Sequence, residues 1–337
     1  MMDGTVAGGR PEVRLDRSDV GRRVSVRRIS ELVNDRPVFR DVIGVLARWD
    51  DHGLTVVPRT GPEVTFPEDL LVAGKAVPLF PGRRAPLPAS SPVELQRIAS
   101  RGWPAVEQEQ LGDWTLRASA GFTRRANSVQ TLGDPGLPLP EALDAVQDWY
   151  AARGLPAVVE VTTPGSPPDL AAELARLGAE EAPTTVRVAP LAGLVRLGSG
   201  HDRVRLARTA DAAWLSRYRR VTDDPEVERA AHQVLHGGPS VWFATVPGVP
   251  GQPPIAIGRC VIDGPWACFG AIEVAPHARR TGLASTVMAV LAARAAEEGA
   301  TGAYLQVEAV NTGAIALYDH LGFTTSHTYH YAGLPRR

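Results

Sequence analysis

Between residues 20 and 74, short apolar stretches alternate with turn residues, which is the pattern of consecutive β-strands. Predicted strands cover 23–27, 41–48, 54–57 and 63–66, and turn residues separate them at 34–37 and 50–53. We expect a small all-β barrel over 13–78, preceded by a Gly-rich mobile tail over 1–12. Residues 79–92 hold four prolines and predict a semi-rigid linker.

Beyond residue 92, helical and strand patterns alternate, and two segments share one spacing. In each segment, glycines mark the start of a helix, its end and the approach to a last strand: Gly136, Gly154 and Gly178, then Gly282, Gly299 and Gly322. The spacings are 18 and 24 residues in the first segment and 17 and 23 in the second. This agreement predicts two tandem copies of one α/β unit, a middle copy over 93–195 and a C-terminal copy over 196–337.

The apolar patterns place most elements of the two copies. In the middle copy we expect helices over 93–101, 139–153 and 168–176 and strands over 157–161 and 185–188. In the C-terminal copy we expect strands over 201–208, 241–246, 255–262, 266–274 and 303–307, and helices over 210–219 and 225–236. A longer helix follows Gly282, with Leu283, Val287, Leu291 and Ala295 as one buried stripe.

The stretch from Glu273 to Ser285 joins an apolar strand to this helix and has the features of a phosphate-binding turn. Gly282 allows close backbone approach, and the first amides of a helix have no intrahelical acceptors. The residues expected to bind a pyrophosphate are Arg279, Arg280, Thr281, Gly282, Leu283, Ala284 and Ser285. Without further evidence, an Arg-rich surface turn that only caps a buried helix is an equally simple interpretation.

A second motif favours the binding interpretation. The first motif is Val274-x-Pro276 followed by Arg279-x-x-Gly282-x-Ala284. The second is Asn311-x-x-Ala314-x-x-x-Tyr318 followed by Leu321-Gly322-Phe323. Together the two motifs resemble the GNAT superfamily of acyl-CoA-dependent N-acetyltransferases. The resemblance implies acetyl-CoA as cosubstrate. It also implies an α/β (α+β) fold with two tandem GNAT-like units of mixed central sheet flanked by helices, here preceded by an SH3-like barrel. This arrangement looks like a group of actinobacterial tandem GNAT proteins.

The resemblance also implies roles for individual residues. The strand before the turn should splay from its neighbour, so that the backbone of Ile272, Glu273 and Val274 binds the pantetheine arm. The Val274 amide would then donate to the thioester carbonyl, where negative charge develops. Asn311 is expected to contact the cofactor, or only to cap its helix, with Thr312 as another possible cap.

The resemblance further implies that Tyr318 is the general acid, since a phenol with a pKa near 10 is protonated at neutral pH and can donate to the thiolate of CoA. A tyrosine that merely fills the core is the alternative. The general base is less clear. Glu273 is one candidate, Glu308 lies on the next strand, and ordered water is a third route; His277 is expected to be a turn residue.

The two copies differ in chemistry. The middle copy has Gly133-Asp134-Pro135-Gly136 at the position of the phosphate-binding turn of the C-terminal copy. The Asp134 carboxylate therefore lies where a pyrophosphate would bind, and Pro135 has no amide hydrogen to donate. We expect the middle copy to have lost cofactor binding and to supply packing and part of the acceptor pocket. Its polar stretch over 121–128, expected on a strand, either lines that pocket or forms a solvated strand face.

Composition and charge exclude several classes of function. The net charge of −1 provides no overall positive field that would attract nucleic acid. Hydrophobic residues make up 44% of the chain and charged residues 22%, and the sequence shows no membrane span and no secretory signal. We therefore expect a cytoplasmic protein without membrane or nucleic-acid partners. Cys260 and Cys268 flank a predicted turn and are expected to be buried thiols rather than a disulfide. No metal site is predicted.

The leading hypothesis is an N-acetyltransferase that moves an acetyl group directly to a primary amine in a ternary complex. It would be a monomer or a homodimer, and its barrel would serve docking or, alternatively, specific ligand binding. An acyl-CoA-binding regulatory or scaffold protein without transferase activity is the second hypothesis.

Overall fold

The structure, a computed structural model, describes residues 13–33, 36–58, 62–76, 87–177, 181–197, 200–218, 220–221 and 224–335. The predicted tail, most of the predicted linker, the turn residues 34–35 and Gly178 lie outside these ranges. The chain divides into two compact units, Met1–Arg83 and Arg84–Arg337. Among the described helices, none is long and apolar enough to cross a bilayer.

The first unit is all-β, as predicted. Its strands are β1 (Val13–Arg14), β2 (Arg23–Val33), β3 (Arg36–Asp50), β4 (Gly53–Pro58), β5 (Val64–Phe66) and β6 (Leu71–Ala76). They form one sheet in the order β1-β6-β2-β3-β4-β5, antiparallel except for β1 with β6. Its buried apolar side chains include Val24, Val26, Leu46, Leu54, Val56 and Phe66. The likeness to an SH3 barrel remains a prediction.

Strands β2 and β3 are longer than predicted. The predicted strand ends at residue 27, but in the structure β2 and β3 continue as a hairpin, with Arg28 opposite Arg40 and Ile29 opposite Phe39. Most side chains of this extension lie at least partly in solvent, so no apolar alternation marks it in the sequence.

The second unit contains the remaining elements. Its first half has α1 (Pro92–Gly102), β7 (Glu107–Leu111), β8 (Trp114–Ala118), β9 (Val129–Gln130), α2 (Leu139–Ala151), β10 (Val158–Thr163), α3 (Leu170–Arg176), β11 (Glu181–Pro190) and α4 (Leu191–Leu194). Its second half has β12 (Arg205–Ala207), α5 (Ala212–Tyr218), α6 (Pro225–His236), β13 (Ser240–Val246), β14 (Ala256–Asp263), β15 (Trp266–Val274), α7 (Leu283–Glu297), β16 (Gly302–Glu308), α8 (Thr312–His320) and β17 (Thr324–Gly333).

All strands of this unit join one mixed sheet in the order β12-β13-β14-β15-β16-β11-β17-β10-β9-β8-β7. The two copies exchange their last strands. Strand β11 of the middle copy lies between β16 and β17 of the C-terminal copy, and β17 lies between β11 and β10 of the middle copy. The two copies therefore share a single sheet.

Several element boundaries differ from the prediction, and two of the differences have a clear local form. The strand expected over 201–208 is a 3-10 turn, His201–Arg203, followed by the short β12. Helix α1 begins one residue early because Ser91 forms a capping box with Glu94, with the Ser91 hydroxyl 3.2 Å from the Glu94 amide. The predicted stripe of α7 is buried in the core under the sheet.

A buried polar network also joins the two copies. Arg117 of β8 forms an ion pair with Glu160 of β10 at 2.8 Å, and both side chains are at most 2% exposed. Gln96 of α1 donates to Glu160 at 2.8 Å and lies 3.0 Å from His327 of β17. A buried ion pair of this kind needs its further hydrogen bonds, since an unpaired charge in the interior is strongly destabilising.

Candidate active site

The candidate active site lies where β15 and β16 separate. The two strands pair in parallel from Trp266 to Phe269 and then diverge. On its other side β15 carries a bulge, because Ala271 and Ile272 together lie opposite one residue of β14, and Ala271 has a φ of 51°. The predicted splay is thus present, with residues 272–274 along its edge.

Close packing beneath the sheet supports the bulge. The residue opposite it is Gly258, where a Cβ atom would lie 2.6 Å from Cγ1 of Val287 and 2.9 Å from Cδ1 of Ile272. Helix α7 therefore packs directly against this part of the sheet, which holds both the bulge and the start of the helix in place.

The edge of β15 presents a backbone donor to the cleft. The Ala275 amide donates to the Ile255 carbonyl at 2.7 Å, on the β14 side. Because successive residues of a strand point their amides to opposite edges, the Val274 amide points toward β16. The amide to which the family resemblance assigns the thioester carbonyl therefore points toward the side on which β15 and β16 diverge.

The turn before α7 has the backbone shape of an anion-binding nest. Arg280 and Gly282 have φ values of 65° and 85°, and such alternation turns neighbouring amides toward one point. The first helical hydrogen bond runs from Thr286 to Gly282 at 3.0 Å. In the described part of the chain, no backbone acceptor pairs with the amides of residues 280–285.

The side chains of the turn contribute unequally. The Arg280 side chain is exposed, whereas Arg279 donates through Nε to the Val274 carbonyl at 3.4 Å. The Thr281 hydroxyl donates to the Ala278 carbonyl at 2.7 Å, and Leu283 is buried in the core. Ala284 and Ser285 are half-buried on the first turn of α7. A phosphate would therefore meet mainly backbone amides and the Arg280 guanidinium.

A cavity of about 640 Å³ extends from the splay into the middle copy. Tyr318 lines it and packs edge-on against Phe323, with the ring centroids 5.7 Å apart. Burial raises the pKa of Tyr318 to about 12, so its phenol stays protonated throughout the physiological range. Tyr318 therefore has the protonation state that a general acid needs.

Asn311 also lines the cavity, and it is the cap of α8. Its Oδ1 atom accepts from the Ala314 amide at 3.1 Å, and Thr312 is the first helical residue, so the expectation that Thr312 caps this helix is wrong. Asn and Thr are both favoured cap residues, which is why the sequence alone did not separate them. The Asn311 side chain therefore caps α8 through its oxygen atom, as one of the two interpretations of this residue expected.

Two carboxylates, Glu273 and Glu308, line the same cavity from the ends of β15 and β16. Glu273 interacts electrostatically with Tyr218, whose pKa is raised first by burial. His277 lies in the 3-10 turn Pro276–Ala278, as predicted. The geometry thus brings both candidate bases to the cavity and leaves the histidine on the surface.

In the middle copy, the loop that corresponds to the turn before α7 has protein acceptors for its backbone amides. The Gly133 amide donates to the Gly165 carbonyl at 3.2 Å, the Asp134 amide to Asp113 at 3.1 Å and the Gly136 amide to the Asp134 carboxylate at 2.8 Å. Pro135 has no amide hydrogen. An anion would find its donors already occupied here.

The polar stretch of the middle copy divides between two roles. Thr123, Arg124 and Arg125 line the cavity, whereas Asn127 accepts from the Ser119 amide at 2.8 Å and only ties the loop together. The arginines lie on a 3-10 turn, Arg124–Ala126, so the expectation of a strand here is wrong. Gly121 and Thr123 both have positive φ values, which breaks the extended conformation.

Other cavity residues were not predicted. They are Trp103, Tyr218, Arg220, Arg259, Cys268, Tyr329 and Tyr331. They come from several separate parts of the chain, which only the folded sheet brings together, so no local signal marked them. Both cysteines are free thiols, with Cys260 buried and Cys268 half-buried.

Residues 91–332 match the sequence family described as "Probable histone acetyltransferase Rv0428c C-terminal". The probable histone acetyltransferase Rv0428c of Mycobacterium tuberculosis is 29% identical over 322 residues, which cover 93% of this chain and 94% of that protein. The uncharacterized N-acetyltransferase YobR of Bacillus subtilis is 27% identical over 246 residues, covering 71% and 96%. A solved GCN5-related N-acetyltransferase from Kribbella flavida superposes with a TM-score of 0.54 at 20% identity, covering 73% and 97%, which shows the fold.

Proposed function

We propose, from the premise that this chain belongs to the family of the Rv0428c C-terminal acetyltransferase domain, that it transfers an acetyl group from acetyl-CoA to a primary amine. The chain is an N-acetyltransferase with the GNAT fold. The single observation that carries the detailed proposal is the open edge of β15, which leads along the chain to the nest at residues 280–285 and whose Ile272 and Glu273 line the same cavity as Tyr318.

The thioester of acetyl-CoA supplies an activated acetyl group. The nest binds the diphosphate, because unpaired amides and Arg280 meet it at the positive end of α7. The Val274 amide stabilises the negative charge that develops on the carbonyl oxygen as the amine nitrogen attacks its carbon.

As the carbon–sulfur bond breaks, the Tyr318 hydroxyl donates its proton to the departing sulfur. The amine loses its proton to Glu273, to Glu308 or to water. The amide product therefore forms in one ternary complex, with no acyl group held on the protein. Cys268 is the one thiol that lines the cavity among the described residues, and burial raises its pKa, which disfavours a thiolate nucleophile.

A single cofactor site per chain follows from the contrast between the two copies. In the middle copy, the corresponding strands β9 and β10 are bridged by hydroxyl contacts, with Thr131 2.7 Å from Ser166 and Ser166 2.8 Å from the Thr162 amide. Together with the self-paired loop at 133–136, this leaves no open edge there for a pantetheine arm.

The test is CoA release with each member of a panel of amines, followed by chromatography, with acetylated product identified by mass. We expect release to depend on both an amine and the protein. Tight binding of acetyl-CoA without release for any amine would instead favour the regulatory or scaffold alternative.

A further inference from the structure

The cavity that holds Tyr318 is lined by charged side chains of both signs. The splayed strands contribute the carboxylates of Glu273 and Glu308. The middle copy and the segment that follows α5 contribute three guanidinium groups, those of Arg124, Arg125 and Arg220, here called the arginine group. Guanidinium groups stay charged at every pH that proteins tolerate.

A fourth guanidinium in the cavity wall, that of Arg259, is fully engaged. It donates to the carbonyls of Leu235 at 2.7 Å, Gly237 at 2.8 Å, Gly102 at 2.9 Å and Val234 at 3.4 Å. Arg259 therefore serves the packing of α6 against α1 and β14, and its donors are not available to a ligand.

The arginine group is less fully engaged: the Arg125 guanidinium lies against the Tyr329 hydroxyl, but its Nε is left without an acceptor. Within the part of the chain that the structure describes, none of its three members forms an ion pair with a carboxylate, and the Nε atom of Arg125 is buried without a hydrogen-bond partner. The Arg125 guanidinium lies 5.3 Å from the ring of Trp103, and Trp103 is itself fixed by donating to Thr123 at 3.0 Å. A buried donor without an acceptor is unfavourable unless a ligand supplies one.

We infer that the arginine group binds an oxyanion of the acceptor, so that the acceptor is a small molecule carrying both a primary amine and a carboxylate or phosphate. Its ammonium end lies toward Glu273, Glu308 and Tyr318, and its anionic end lies on Arg125. Planar guanidinium groups bind both kinds of oxyanion through paired hydrogen bonds. This inference rests on the proposed transferase function.

Charge and size both disfavour a basic peptide as acceptor. A lysine flanked by further basic residues would bring like charges toward three guanidinium groups, which is repulsive. The cavity of about 640 Å³ must also hold the acyl end of the cofactor, and pockets of this size suit small ligands.

The test uses matched acceptors that differ only in the anion. The pairs are 4-aminobutyrate with butylamine and ethanolamine phosphate with ethanolamine; the first probes a carboxylate and the second a phosphate. We expect kcat/KM to be at least about tenfold higher for the anionic member of at least one pair, which identifies the oxyanion. Equal kcat/KM within both pairs overturns the inference and leaves the transferase function intact.

Variants locate the effect. Arg125→Met should lower kcat/KM for the anionic amine at least about tenfold and change kcat/KM for the neutral amine by less than about twofold. Arg208→Met is the matched control, since Arg208 also stacks on a tryptophan, Trp242 at 3.8 Å, but outside the cavity. If Arg125→Met does not fold, the exposed Arg220→Met serves in its place.

A binding measurement decides the inference independently of turnover. With CoA present, butyrate should raise the melting temperature of the protein more than butanol does, and Arg125→Met should abolish the difference; inorganic phosphate is the corresponding probe for the second pair. If no amine supports CoA release but these anions still bind through Arg125, the anion site stands and the transferase proposal fails. Shifts that are the same in the parent protein and in Arg125→Met overturn the anion site.

Discussion

Arg187 of β11 donates to the Phe323 carbonyl at 2.9 Å and forms an ion pair with Asp319. The first residue lies on the middle copy and the other two follow Tyr318 on the C-terminal copy. The Phe323 amide in turn donates to the Tyr318 carbonyl at 2.9 Å. The exchanged strand therefore fixes the end of the helix that carries the proposed acid.

Replacing this arginine should affect both folding and turnover. We expect Arg187→Met to lower the free energy of unfolding by about 1.5–3 kcal/mol, the usual contribution of hydrogen bonds to a charged group, because the carbonyl loses its donor. It should also lower kcat more than it weakens acetyl-CoA binding. Denaturant unfolding and steady-state kinetics measure the two effects. Arg176→Met, which breaks an exposed pair with Glu173, should change neither.

Tyr318→Phe tests the acid directly. The ring and its contact with Phe323 remain, so stability should hold, while the loss of positioned proton transfer should lower kcat by roughly 10²-fold or more. Tyr150→Phe is the matched control, because Tyr150 is a buried tyrosine whose hydroxyl donates to the Arg117 carbonyl at 2.9 Å, away from the cavity. It should reduce stability and leave kcat unchanged. An unaltered kcat in Tyr318→Phe would remove that residue from the mechanism.

Acid sensitivity should arise partly at His327, which joins the two copies. Burial lowers its pKa from about 6.5 to about 4, an effect that the nearby Glu160 only partly offsets. Between these values the unfolded chain binds a proton that the folded chain does not, so stability is complete above pH 6.5 and falls as the pH drops toward 4. Chemical denaturation between pH 7 and 4.5 should show this slope.

In His327→Gln, which keeps a hydrogen-bonding side chain beside Gln96, the slope between pH 6.5 and 4.5 should be shallower than in the parent protein. Below that range Glu160 contributes in the same direction, because Arg117 and the glutamine partners hold its pKa below the usual value despite burial. Identical slopes in the two proteins would show that His327 is protonated in the folded state.

The sequence was most informative where structure depends on neighbouring residues. Gly282 caps the start of α7, Val274 ends the splayed strand β15 and Tyr318 lies on α8, and each of these elements is formed by residues that are close together in the chain. The strand exchange was not predicted. Strands β11 and β17 both follow a short helix, and each mixes polar with apolar residues, so the local pattern does not indicate which copy each strand pairs with.

The acceptor side of the cavity escaped prediction for a related reason. Trp103 follows the end of α1, Tyr218 ends α5 and Tyr331 lies on the last strand, β17. Only the folded sheet brings these three residues together. The polar stretch that contains Thr123 and Arg125 is visible in the sequence, but its turn depends on a positive φ value at Thr123 that the sequence does not indicate.

The nest before α7 supports a sharp comparison between two glycines at the ends of one helix. Gly282 and Gly299 have φ values of 85° and 96°, and a Cβ atom at either position would have no heavy atom within 4 Å, so alanine imposes a similar backbone strain of about 1–2 kcal/mol at each. Only Gly282 lies in the proposed phosphate site.

Calorimetric titration of acetyl-CoA into the parent protein, Gly282→Ala and Gly299→Ala therefore tests the central claim most directly. We expect one site per chain in the parent protein, a dissociation constant raised at least about tenfold in Gly282→Ala, and an unchanged dissociation constant in Gly299→Ala. Absence of binding heat in the parent protein at several temperatures, or equal affinity in the two variants, would contradict it.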